Sequence, residues 1–245
     1  MCTREMTLGE EIISLTGKGV DISTVERMYR KYIAITSEAD TKNATEEPCH
    51  IDVNALFPTI EAIFGKDYSI LPDDIAIGDQ IEIPLGDLGT FTATVQMVKD
   101  DKVLFMFDDY ITKRPMNENE SNEGGYEKSD LKKWIENDLF KMFPEALRKH
   151  MTGLTIPTLG EICGWSDNWD KEHIEPDGDE QLPLMKQRRN RVAYYNDECS
   201  SGWLRNAMKK EFSSACFAYV YANGAASCSY ASDSLGVRPE FWLVK

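Results

Sequence analysis

The chain has 245 residues, 42% hydrophobic and 28% charged, a balance that suits one large domain with an appendage and excludes disordered and fibrous classes. Its formal charge of −15, from 27 Lys and Arg against 42 Asp and Glu, sets it against polyanions, so no nucleic-acid partner is expected. No apolar run approaches the length of a membrane-spanning helix, so no membrane insertion is expected either. Residues 1–45 predict a helical extension: Thr7-x-x-Glu10 and Ser23-x-x-Glu26 are capping boxes, and Val25, Met28, Tyr29, Tyr32 and Ile33 share one helical face. That face is expected to pack on the domain or on a neighbouring copy, making a homo-oligomer through these helices one arrangement the sequence offers. Residues 46–74 read as a linker and a helix capped by Asn54 and ended by Gly65.

The texture changes at Ile75, where a domain of residues 75–245 begins. Gly78–Ile83, Thr90–Val98 and Val103–Phe107 alternate as strands, with Asp100-Asp101 turning the last two into a hairpin. Met116–Tyr126 is a loop, Ser129 caps a helix carrying Leu131, Trp134, Ile135 and Leu139, and Pro144 ends it. Pro157-Thr158-x-x-Glu161 starts another short helix, and residues 166–181 form a polar, acidic loop. A short helix is expected around Trp203. Phe217–Ala222 and Ala225–Ala231 predict a hairpin across a two-residue Asn223-Gly224 turn, and Val237–Val244 a central strand despite Pro239. The class is α+β, an antiparallel sheet with helices to one side.

Motifs of chemistry are sparse. His50, His150 and His173 have no metal-ligand spacing, and the acids of residues 166–181 lack an ordered calcium ligand set, so no metal and no cofactor are expected. No phosphate-binding glycine loop and no nucleophile elbow occur. Lys186, Arg188, Arg189 and Arg191 read as an internal salt-bridge set against the acid excess. The six cysteines include no Cys-x-x-Cys; Cys216 and Cys228 flank the hairpin turn and either pair across it or pack, with packing favoured.

The fuller signal is an ordered series of phrases. Asp109-Tyr110-Ile111-x-x-Arg114-Pro115-x-Asn117 is followed by Tyr126-Glu127-x-Ser129-Asp130-Leu131-x-x-Trp134 and Leu154-x-x-Pro157-Thr158. Then come Trp203-Leu204-Arg205, Tyr219-Val220-Tyr221-Ala222-Asn223-Gly224 and Gly236-Val237-Arg238-Pro239-Glu240-Phe241. Over residues 75–245 this resembles the C-type-lectin-fold variable proteins of diversity-generating retroelements. It also resembles a wider family of uncharacterised phage and gut-bacterial domains ending in Gly-Val-Arg-Pro.

The resemblance implies a C-type-lectin-like fold of short antiparallel sheets, two helices (after Ser129 and around Trp203) and a long-looped face. It implies a non-enzymatic ligand- or receptor-binding protein, phage- or prophage-encoded and retroelement-diversified, whose partner is a protein or glycan. With no signal peptide read at the N-terminus, a cytoplasmic or phage-particle location follows. Trp203, Arg205, Gly236, Arg238 and Pro239 match the framework; the variable-type positions are Tyr219, Tyr221, Ala225, Ser227, Ser229, Tyr230, Ser232, Asp233 and Ser234. Their Tyr and Ser content independently fits an adaptable contact face. The alternative is an enzyme on the same fold, formylglycine-generating-like, using an oxidisable cysteine such as Cys216 or Cys228.

Overall fold

Strands dominate the chain from Ile75 onward because its apolar residues recur with period two or fill short continuous runs. The computed structural model describes residues 75–244, so the expected helices of residues 1–45 and the linker and helix of 46–74 lie outside the described residues. The expected strands form as β1 (Gln80–Pro84), β2 (Thr90–Val98) and β3 (Lys102–Phe107), followed by a short β4 (Thr112–Arg114). Ser129 caps α1 (Asp130–Trp134) by accepting from the Lys132 N–H; a π turn (Ile135–Leu139) and α2 (Phe140–Met142) continue it. Extended backbone at Phe143, before Pro144, stops it. Then come α3 (Glu145–Arg148), β5 (Met151–Thr155) and α4 (Leu159–Ile162), the last opened by a full Thr158/Glu161 capping box. α5 (Asn168–His173) occupies part of the stretch expected to be loop, because Asp167 caps it through the Trp169 N–H.

The remaining strands are β6 (Ala193–Tyr195), β7 (Glu198–Ser200), β8 (Gly202–Ala207), β9 (Cys216–Val220), β10 (Ala226–Tyr230), β11 (Leu235–Val237) and β12 (Glu240–Val244). One five-stranded sheet runs β1-β2-β3-β12-β5, a second runs β10-β9-β8-β11-β4, and β6-β7 form a separate ribbon. All pairings are antiparallel except β8 with β11. The architecture is a mixed α+β fold with several antiparallel sheets and few helices.

The central strands of both large sheets, β3, β12, β8 and β9, are buried on two faces, and strand alternation sorts their side chains between two cores. Val103, Phe105 and Phe107 of β3, with Phe241 and Leu243 of β12, join Leu131, Ile135 and Leu139 and Trp203 and Phe217 in the first core. Phe241 sits at its centre, stacked on Phe105 with centroids 5.7 Å apart and edge-on to Phe143 at 5.5 Å. Leu104 and Met106, on the reverse face of β3, join Leu159, Ile162, Leu204 and Ala218 in the second. Helices therefore flank the sheets on both sides, not on one.

Two further expectations fail for identifiable reasons. Trp203 lies in β8, not in a helix: Trp203 faces the first core and Leu204 the second, so an apolar pair that looked helical is a strand buried on both faces. Val237–Val244 is not one strand. The chain leaves the second sheet after Val237, passes Arg238-Pro239, and enters the first sheet at Glu240.

Candidate functional site

The β9–β10 hairpin lies at an edge of the second sheet and carries most of the expected contact residues. Its turn is a three-residue loop, Ala222-Asn223-Gly224, not the expected two-residue one. The Gly224 N–H donates to the Tyr221 carbonyl at 2.8 Å, the Tyr221 N–H to the Ala225 carbonyl at 2.7 Å, and only Gly224 takes a positive φ, +78°. A β-carbon at Gly224 would stand 2.6 Å from the Arg188 carbonyl oxygen, so the turn needs glycine for approach as well as conformation. Arg188 clasps the same turn, donating to the Asn223 carbonyl (3.0 Å) and side-chain oxygen (3.1 Å), while Arg191 donates to the Met185 carbonyl at 2.8 Å. These arginines thus bond neutral oxygens in place of the expected salt-bridge set.

The register decides which residues share a face. Tyr219 is opposite Ser227 and Phe217 opposite Ser229, so Tyr219, Tyr221, Ala225, Ser227 and Ser229 form one face. The Tyr219 and Tyr221 ring centroids are 6.2 Å apart. Tyr221 is 49% exposed, whereas Tyr219 packs its ring against the first core. Tyr230 is opposite Cys216 and belongs to the reverse face; the single contiguous face expected from sequence is divided. Ser232, Asp233 and Ser234 form the turn after β10, tied back by the Ser229 hydroxyl donating to Asp233.

The framework residues meet the earlier phrases in space. The Trp203 indole N–H donates to the Arg114 carbonyl at 2.8 Å, and the Arg114 guanidinium lies 4.4 Å from the Trp134 ring centroid. Gly236 pairs with Gly202 beneath the Tyr110 ring, and a β-carbon on either would approach ring atoms within 2.4 Å or less. Buried Arg238 donates to the Phe107 carbonyl at 2.6 Å and the Asn190 carbonyl at 3.4 Å, holding the crossover beside Pro239.

Arg205 does more than the framework role read from sequence. Its guanidinium donates to Glu161 Oε2 at 2.9 Å and Glu240 Oε1 at 3.3 Å. The Thr158 hydroxyl lies 3.1 Å from Glu161 Oε2 and 3.0 Å from Asp179 Oδ2, bringing a third carboxyl to the group. Glu161, Asp179, Arg205 and Glu240 line a pocket of about 700 Å³ whose lining also includes Leu104 and Trp242. Burial, with the neighbouring Glu161 charge, pushes the Glu240 carboxyl well above the carboxylate range despite Arg205. Sequence reasoning missed this site because Arg205 is 44 residues from Glu161 and 35 from Glu240. The one local signal was the Thr158-x-x-Glu161 box, which supplies the acid.

The acidic loop is fastened by Asp177, which accepts from the Gly160 N–H (2.9 Å), Trp165 indole (2.8 Å), Asn206 amide (2.9 Å) and Asp179 N–H (2.9 Å). Burial opposes its charge, but these bonds together hold its carboxyl below the usual range. Among the described residues no group of three His, Cys, Asp or Glu is placed to hold a metal. His173 stacks on Trp169 with centroids 4.8 Å apart and meets Phe212 edge-on at 4.4 Å. Cys163, Cys199, Cys216 and Cys228 are free; burial pushes the Cys163 thiol up to about 11 and, with nearby Cys216, also raises Cys228. No helix among the described residues is long and apolar enough to cross a membrane.

No curated protein and no solved structure matches the chain. Residues 100–171 match the family model described as a domain of unknown function, DUF6273, a stretch that contains the Asp109–Asn117, Tyr126–Trp134 and Leu154–Thr158 phrases.

Proposed function

We propose that this chain is a non-enzymatic ligand- or receptor-binding protein on a C-type-lectin-like fold, with the β9–β10 hairpin and the turn after it as the contact face. The observation that carries the reading is the tyrosine pair at the sheet edge: Tyr221 is 49% exposed beside Tyr219, with Ser227 and Ser229 across the hairpin. Stiff rings next to small hydroxyls give contact area and adaptable hydrogen bonds at low entropic cost. The hairpin is pre-organised by the Arg188 clasp and the Ser229–Asp233 tie, which lowers the ordering cost of binding. The paired short sheets and the mutual contacts of the phrase residues favour the lectin-like reading; kinship with retroelement-diversified, phage-associated proteins rests on the sequence phrases alone. The partner is a protein or a glycan. The burial of Cys216 and the raised thiol of Cys228 weigh against a cysteine-dependent enzyme, since the exposed thiolate is the nucleophile.

The test pairs a glycan array and a bacterial surface-protein panel with Tyr221→Ala. Tyr221 is exposed, so its truncation should abolish any retained interaction while moving Tm by no more than about 2 °C. Tyr219→Ala is the poorer probe because that ring also packs on the core. Binding that survives Tyr221→Ala and combined Ser227→Ala and Ser229→Ala would place the contact face elsewhere.

A further inference from the structure

The Glu161–Arg205–Glu240 pocket is separate from the hairpin and has chemistry of its own. Six carboxyl groups line it against three cations, Lys99, Lys132 and Arg205. Those cations are committed: Lys132 to Glu127 and Glu136, Arg205 to Glu161 and Glu240, and Lys99 to the Trp242 ring at 4.8 Å from its centroid. Asp179 and Glu180 are left without a salt bridge among the described residues. Glu240, only 2% exposed, lines the same pocket, and its Oε2 has no hydrogen-bond donor. A buried carboxyl oxygen without a donor is rare in folded proteins.

We propose that this pocket binds an alkylammonium ligand, its ammonium group among Glu161, Asp179 and Glu240 and its chain against Leu104, Met97 and Trp242. The acid excess repels anions. Among the described residues no three His, Cys, Asp or Glu are close enough to hold a metal ion, whereas an ammonium is met at the longer donor–acceptor distances of hydrogen bonds, about 2.8 Å. A neutral polyol would leave the charge excess unanswered. An ammonium brings three N–H donors and one positive charge, and three carboxyl groups are gathered around the Thr158 hydroxyl and the Arg205 guanidinium. The apolar wall suits the methylenes that accompany such a group.

The groups facing Glu240 are Glu161, Asp179 and Arg205; burial first and Glu161 next raise its carboxyl, and a cation placed beside it favours the carboxylate.

Isothermal titration of the full chain with 1,5-diaminopentane reads the binding, and the expected result is saturation. 1,5-Pentanediol should bind at least about tenfold more weakly, and exposed Asp179→Asn should cost the diamine a similar factor. Non-specific attraction to a chain of charge −15 would barely notice that one substitution. Nα-acetyl-lysine amide separates the sources: tighter binding than the diamine assigns the ammonium to a lysine side chain, weaker binding to a free amine. Glu240→Gln should weaken the diamine by a similar factor; should it not fold, Asp179→Asn still decides. Equal affinity for diol and diamine, an unchanged Asp179→Asn, or no saturation overturns the proposal.

Discussion

Asp108 shows how one half-buried charge shapes the stability of the domain. It follows β3 and accepts from the Thr94 hydroxyl and, at 2.8 Å, from the Gln80 amide. Burial raises its pKa to about 6, with Asp109 adding and Thr94, Arg238 and Gln80 opposing. Because the folded value lies above the unfolded one, the native state binds the extra proton between about pH 4 and 6. Stability therefore falls as pH rises through that window, by at most about 3 kcal/mol from this group. Asp108→Asn should flatten that part of the profile, since the amide carbonyl still accepts from Gln80 and the Thr94 hydroxyl can turn to accept. Urea midpoints of both proteins at several pH values between about 4 and 7 measure it; parallel profiles would show that Asp108 ionises freely. Asn206 works without charge. It accepts from the Leu159 N–H at 2.7 Å and donates to the Glu175 carbonyl and Asp177, tying the start of α4 to the acidic loop. The amide supplies three bonds that fix the segment lining one side of the pocket.

At the level of elements, the join between β8 and β11 depends on absent side chains. Gly202 and Gly236 pair under the Tyr110 ring, where a β-carbon on Gly236 would lie 2.4 Å from the ring's Cγ. That atom is at the base of the side chain and cannot swing away. Gly236→Ala should destabilise by about 1–3 kcal/mol through overpacking, and the penalty should largely vanish in a Tyr110→Ala background. A double-mutant cycle in urea checks it; additive costs would mean the backbone shifts and the ring does not matter. Such short-range necessities were legible in the sequence: the Ser129 cap, the Thr158-x-x-Glu161 helix start, the β2–β3 hairpin and the Gly-Val-Arg-Pro ending all mark places where local chemistry dictates the backbone. The β8 strand and the split at Arg238-Pro239 were not legible. A strand buried on both faces loses its alternation, so Trp203-Leu204 has no period to read. A chain that changes sheets without a turn leaves only its proline as a trace. The pocket was invisible for a third reason, since its acids and arginine converge only through tertiary packing.

For the molecule as a whole, the two cores constrain where variation is tolerable. β9 sends Cys216, Ala218 and Val220 into the second core and Phe217 into the first, leaving the outer ends of the Tyr219 and Tyr221 face and the turn after β10 as surface. If the proposed kinship with retroelement-diversified proteins holds, the DNA encoding roughly Tyr194 to Arg238 has a near-copy nearby, differing almost only at adenines of the template. The structure then sets which codons can change. Substitutions should gather at Tyr219, Tyr221, Ser227, Ser229 and Ser232–Ser234, where side chains reach solvent or sit in an open turn. Tyr230 is 53% exposed on the reverse face, so it should vary independently of the tyrosine pair. Phe217, Val220, Gly224, Gly236 and Arg238 should be spared, because each fills a core, an approach or a crossover that other residues cannot reproduce. Sequencing the flanking DNA and a population of such genes reads the pattern directly. Adenine-linked changes concentrated on the core-facing residues of β9 would contradict the placement of the contact face. A fixed hairpin with no template copy would leave a binder of one specificity, for which loss of binding in Tyr221→Ala is the decisive measurement.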